Sequence, residues 1–227
     1  MKKYCIYYIT TDRYVNYAPD FFKSLSNFMP NDYKTVIWLS DNFIQVDIDD
    51  KIDILKKNIL DMPWPLVTLL KMHYIYDNKI NGYDGYFYFN ADAYIENMQP
   101  EIIDLISHSC DNNFFITTAH GCYPLDLNYS QGGFFGGSYN IFFKVCNLVV
   151  EEINELLRQN IILEWHDETA LNNILNNEIN NIKIIRYGFM YDERSLCSEE
   201  YVNMIKNAKY LFIKIRTREF KKQKNNY

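Results

Sequence analysis

Three short stretches of this 227-residue chain combine residue types that can handle a sugar or a phosphate. In Trp165-His166-Asp167-Glu168 an indole, an imidazole and two carboxylates crowd together just before an apolar helical run. A carboxylate there can stabilise or trap an oxocarbenium-like centre while the indole stacks on a sugar face. Acidic residues in a first helical turn also complement the helix dipole. The second His of H-E-x-x-H is missing, which argues against zinc. In Tyr86-Phe87-Tyr88-Phe89-Asn90-Ala91-Asp92 an apolar run delivers two short polar side chains to its end. These can reach a ribose, a donor sugar or a metal bridging two phosphates, or simply open a turn. In Gln131-Gly132-Gly133-Phe134-Phe135-Gly136-Gly137 paired glycines flank two phenylalanines. The stretch is neither a G-x-G-x-x-G fingerprint nor a P-loop. It reads as backbone that a sugar can approach closely, or as a tight bend packed on a sheet. His120 follows a predicted strand and can reach the same surface as Asn90, whereas His73 and His108 fall in helical patterns. No Ser/His/Asp or Cys/His order marks a nucleophile system.

Such groups need a rigid frame. Apolar runs predict strands over residues 4–9, 35–39, 52–55, 85–89, 114–118 and 182–185. Pro19 opens a helical pattern through Phe21, Phe22, Leu25 and Phe28, and Pro65 another through Val67, Leu70, Met72, Ile75 and Tyr76 that Asn81-Gly82 should end. Phe142, Val145, Val149, Ile153 and Leu156 line one side of a helix over 141–157, and a shorter helix follows Glu168. Residues 41–53 are acidic and irregular. Alternating strands and helices predict an α/β sheet with parallel strands and helical crossovers, whose ligands sit at the carboxyl ends of the strands. No linker or repeat divides the chain, so residues 1–227 are expected to form one domain with a basic tail from about 206 to 227.

That tail carries Lys206, Lys209, Lys214, Arg216, Arg218, Lys221, Lys222 and Lys224 against Glu219, on a chain of net charge −6. The overall charge argues against a nucleic-acid partner, while the tail suits a solvated end, a membrane-surface patch or a clamp for a phosphorylated ligand. Twenty tyrosines suit sugar stacking, but composition alone decides nothing. No run approaches 18 apolar residues, and the apolar start lacks a cleavage site. Five scattered cysteines without a C-x-x-C pair are expected as reduced thiols, so a cytoplasmic setting is expected, peripheral to the inner membrane face if the tail binds there.

Together the motifs resemble glycosyltransferase family 6, the family of the histo-blood-group A and B transferases and the α1,3-galactosyltransferases, in its bacterial form. Trp165-His166-Asp167-Glu168 with Leu171-Asn172 is similar to the W-H-D-E-S-x-L-N signature, and Gly132-Gly133-Phe134-Phe135-Gly136-Gly137-Ser138 to G-G-F-F-G-G-S. Trp64-Pro65 with Val67, Thr68, Lys71 and Met72 resembles the family's donor-side helix, and Arg13-Tyr14 its early K/R-Y. The resemblance implies a GT-A type, Rossmann-like fold with a mixed, mainly parallel sheet flanked by helices, and a retaining transfer from a UDP-sugar. It implies that Ile9, Tyr14, Val67 and Lys71 hold uridine and ribose, and that Asn90 and Asp92 stand at the D-x-D. Gln131, Gly132 and Gly133 would select the sugars, and the smallness of Gly133 favours GalNAc over galactose. Asp167 would grip the donor, Glu168 would be nucleophile or stabiliser, and His120, Trp165 and Asp192 would face a galactose-containing oligosaccharide or lipid-linked acceptor in α1,3 transfer. The chain departs from the pattern at Leu66, where many members have Asp. Eight residues separate His120 from Tyr129, so a long acceptor-side loop is missing. Asn90 replaces one carboxylate of D-x-D. The expectation is that no metal is required, with Mn2+ on Asp92 the alternative. The rival readings are a GT-A transferase with another donor or inverting outcome, and a non-catalytic carbohydrate-binding protein on this scaffold.

Overall fold

Strand β1 (Lys3–Thr10) is the spine of the sheet. Tyr4 through Ile9 are buried on both faces, which is why the run is apolar without alternation. β1 pairs in parallel with β2 (Tyr33–Ser40) on one side and β4 (Gly85–Phe89) on the other. β3 (Ile52–Asn58) adds a parallel edge whose exposed half holds Lys56 and Lys57, charges that discourage further pairing. A computed structural model describes residues 1–62, 65–119, 129–163, 166–187, 190–192 and 213–215, giving the side-chain surroundings of all but 186–187 and the last two segments.

Beyond β4 the direction reverses. β7 (Ser130–Gly137) runs antiparallel to β4, β6 (Phe115–Ala119) antiparallel to β7, and β8 (Ile184–Tyr187) parallel to β6. The seven-stranded order is β3-β2-β1-β4-β7-β6-β8, a mixed and mainly parallel α/β sheet. A second, three-stranded sheet joins β5 (Ala93–Ile95), β10 (Ile213–Ile215) and β9 (Met190–Asp192) in the order β5-β10-β9.

Helices cover both faces. α1 (Ala18–Leu25) and α4 (Pro100–Asp111) bury Phe21, Phe22, Leu25, Ile102 and Ile106 against one face with Tyr8, Trp38 and Phe87. α2 (Leu66–Leu69), α3 (Lys71–Asp77), α5 (Tyr139–Arg158) and α6 (His166–Asn176) cover the other, around Tyr7, Tyr86, Phe135 and Phe142. Among the described residues no helix is long and apolar enough to cross a membrane. Cys5, Cys110 and Cys146 are buried free thiols; Cys122 and Cys197 lie outside the described residues.

Three expectations need correction. The stretch 131–137 is not a bend but most of a buried strand, and its glycines answer to aromatic bulk. A Cβ on Gly136 would stand 2.0 Å from Phe87 Cδ1. The helix read from Pro65 is two short helices that break at Leu70 and end at Asp77, four residues before Asn81. Phe28, placed in the first helical pattern, lies past the end of α1 yet is fully buried.

Candidate active site

The site begins where β4 stops and β7 continues. Pairing between β6 and β7 jumps from Thr117↔Phe135 to Thr118↔Gln131, so residues 132–134 form a bulge opposite no partner on β6. The Thr117 hydroxyl donates to Phe134 C=O inside it. On the other edge, Asn90 N–H donates to Gly133 C=O at 2.8 Å, just past Phe89↔Phe134, the last β4–β7 pair. Side chains take over there. Gly132 N–H donates to Glu168 Oε2 at 2.8 Å, Lys71 Nζ donates to Gly132 C=O at 2.8 Å, and the Asn172 amide bonds both backbone groups of Ser130.

The charges at this edge are nearly dry. Lys71 Nζ lies 2.6 Å from Asp167 Oδ2, with side chains 8% and 7% exposed. Nζ also stands 4.8 Å from the Tyr88 ring centre, a cation–π distance. Burial pulls the Lys71 pKa down, but Asp167, Tyr88 and Glu168 outweigh it and the ammonium is held charged, above the ordinary lysine range. Glu168 moves the other way. Burial pushes its carboxyl up to about 7, aided by Asp167 and opposed by the Gly132 amide and Lys71. Two adjacent carboxylates are thus given different work: Asp167 neutralises a cation, while Glu168 rests on a backbone amide and can gain or lose its proton near neutrality.

Gly132 is what lets them converge. An added Cβ would stand 3.2 Å from Asp167 Oδ2, 3.4 Å from Lys71 Nζ and 3.5 Å from Glu168 Oε2. Gly132→Ala is expected to change stability by no more than about 1 kcal/mol, since reduced unfolded-state entropy offsets the crowding. Turnover should fall at least tenfold, by about 1.4 kcal/mol or more of transition-state stabilisation. Melting curves beside donor-hydrolysis rates check this; unchanged turnover would mean the convergence is incidental.

The strand-end motif forms the adjoining corner. Tyr88 OH donates to Asn90 Oδ1 at 3.2 Å, and Asn90 Nδ2 donates to Asp92 Oδ1 at 2.8 Å. Burial pushes the Tyr88 phenol up to about 12, so it keeps the proton it donates. Tyr8 OH donates to Ala91 C=O at 2.8 Å and pins the turn from below. A continuous line of contacts therefore runs from Asp167 through Lys71, Tyr88 and Asn90 to Asp92. Among the described residues no three His, Cys, Asp or Glu side chains cluster as a metal site. Ile215 pairs with both Ala93 and Asp192, so β10 brings part of the basic tail and the backbone of Asp192 beside this corner. Two strand spacings put the Asp192 backbone about 10 Å from Ala93.

Among the remaining expected residues, Ile9 is buried one step past the Tyr8↔Phe89 pair. Tyr14 sits in a 3-10 helix over Asp12–Tyr17, with its N–H on Thr11 C=O. Val67 is half-buried on α2, four residues before Lys71. Gln131 is half-buried between Ser130 and Gly132. His120 and Trp165 lie outside the described residues, as does the tail apart from 213–215. Sequence reasoning assigns no separate role to Tyr8, Tyr88 or Asn172. For Tyr88 a signal exists, because strand alternation sets residues 88 and 90 on one face.

No family model matches the chain. Over 218 residues, 86% of this chain and 86% of the relative, it is 26% identical to the O-antigen biosynthesis glycosyltransferase WbnI of Escherichia coli. The chain is similar, across most of both lengths, to a glycosyltransferase.

Proposed function

We propose that the protein is a retaining glycosyltransferase that moves GalNAc, or galactose, from a UDP-sugar to a galactose-containing glycan in α1,3 linkage. The observation that carries this reading is the convergence of Glu168, Asp167 and Lys71 on the backbone of Gly132. The similarity to an O-antigen glycosyltransferase supports transfer to a glycan of that kind. In this reading Asp167, fixed by Lys71, accepts hydrogen bonds from donor-sugar hydroxyls. Ionised Glu168 faces the anomeric carbon as its bond to the diphosphate breaks. The carboxylate either bonds to that carbon and is later displaced by the acceptor hydroxyl, or stabilises the cationic centre while leaving group and acceptor share one face. Ile9, Tyr14 and Val67 border the uridine side, and His120, Trp165 and Asp192 the acceptor side.

The reaction is read as metal-independent. Asn90 brings no charge to a cation, and Asp92 Oδ1 already accepts from Asn90 Nδ2. A diphosphate leaving group still needs positive charge, and the basic tail, of which β10 sets residues 213–215 beside this corner, is the source we propose. The tail is also the surface that would meet an anionic membrane carrying a lipid-linked acceptor, on the cytoplasmic side.

The test is a donor screen with UDP-GalNAc, UDP-Gal, UDP-GlcNAc, UDP-Glc and GDP-sugars, with and without EDTA, following nucleotide release in the presence of galactosyl acceptors. Release from UDP-GalNAc at a rate indifferent to EDTA is expected. Loss in EDTA restored by manganese would overturn metal independence, and a β-linked product by NMR would overturn retention. Binding without release from any donor would favour a carbohydrate-binding protein on this scaffold.

A further inference from the structure

We infer that Asn172 is a positioning residue that sets the Glu168 carboxylate by locking α6 in register on the open edge of β7. The inference rests on the reading of Glu168 as the catalytic carboxylate. Asn172 is 4% exposed. Its Oδ1 accepts from Ser130 N–H at 2.7 Å, and its Nδ2 donates to Ser130 C=O and to Glu168 C=O, each at 2.8 Å. Both amide hydrogens are thus used, and among side chains this short only asparagine offers an acceptor and two donors in one plane.

The spacing shows what the clamp does. Helix residues 168 and 172 are one turn apart, about 6 Å along the axis. Strand residues 130 and 132 are about 6.6 Å apart. Two contacts therefore match, Asn172 on Ser130 and Glu168 on Gly132, and together they fix the helix against both sliding and rotation. With the first contact removed, the Glu168 carboxylate still accepts from the Gly132 amide, but on a helix entered through His166 at φ 50° and no longer held in register.

Asn172→Asp keeps the acceptor and the size but turns the donor that meets Ser130 C=O into an oxygen. The expected result is a kcat at least tenfold lower, a donor KM within threefold of the parent, and an acid limb of the kcat–pH profile moved upward. The decisive measurement is the same substitution in a Glu168→Gln background, where it should lower the residual kcat less than twofold, because the group it positions is gone. An equal fractional loss in both backgrounds, or a loss confined to KM, would overturn positioning in favour of a general structural role. Near-normal turnover of Glu168→Gln alone would instead overturn the catalytic reading of Glu168. Asn172→Ser, smaller and without the second donor, repeats the comparison if the aspartate variant does not fold.

Discussion

Replacing Glu168 by Gln is expected to lower turnover by roughly a thousandfold or more while making the protein more stable at pH 8. The two effects share one cause. The fold buries the carboxyl and pushes its pKa up to about 7 from an ordinary 4.5. Below about pH 4.5 the group is protonated folded or unfolded and costs nothing. As pH rises from there the unfolded chain ionises first, so stability is lost progressively until the folded carboxyl also ionises near 7, and the full cost persists above that. Discounted for a half-buried side chain, the shift corresponds to roughly 2 kcal/mol. Gln keeps an oxygen for the Gly132 N–H and removes the charge. The variant should therefore melt about 4–8 °C higher than the parent at pH 8, with the gain reduced to about a quarter of that at pH 5. The parent's rate should climb as pH passes through about 7, when the carboxylate forms. Scanning calorimetry at the two pH values and donor-release assays check both halves. A variant that turns over normally, or gains no more at pH 8 than at pH 5, would remove the strained carboxylate from the account.

The residues behind this prediction were legible because they lie in unbroken strings. Trp165 to Glu168 and Asn90 to Asp92 advertise polar groups at the ends of regular elements, and the apolar run at 85–89 matches β4 residue for residue. What binds the strings together was not legible. Lys71 meets Gly132 across 61 residues and Asn172 meets Ser130 across 42, and no local pattern encodes either contact. The β7 strand was hidden by its own glycines, which disfavour strands unless a partner needs the space. Here the partner is the Phe87 ring, which stacks on Phe134 from the neighbouring strand. β5, three residues long, is too short for any period to show; α4 buries Ile102, Ile106 and Cys110 with Ile103 and Leu105 packed beside them, a pattern the sequence reading left out. Lys71 was legible as a site residue through resemblance alone. Its commitment to a buried aspartate is a three-dimensional fact.

That commitment leads to the second large effect. Lys71→Met should destabilise the protein by about 3–5 kcal/mol, because it leaves Asp167 buried without its counter-ion. Asp167→Leu should cost a similar amount by stranding the ammonium. Combining them removes both charges and leaves two apolar side chains of similar bulk in a dry site, so the double variant should recover to within about 1–2 kcal/mol of the parent. Donor turnover should not recover with it, since the carboxylate proposed to grip the sugar is absent. Loss of Lys71 alone carries a further signature. The ammonium lowers the Glu168 pKa, so in Lys71→Met any residual rate should rise with pH through a value above the parent's 7. Urea denaturation of the four proteins gives the coupling energy directly. Strictly additive losses would mean that the 2.6 Å approach carries no net coupling, and a double variant that also turned over would separate the ion pair from the chemistry altogether.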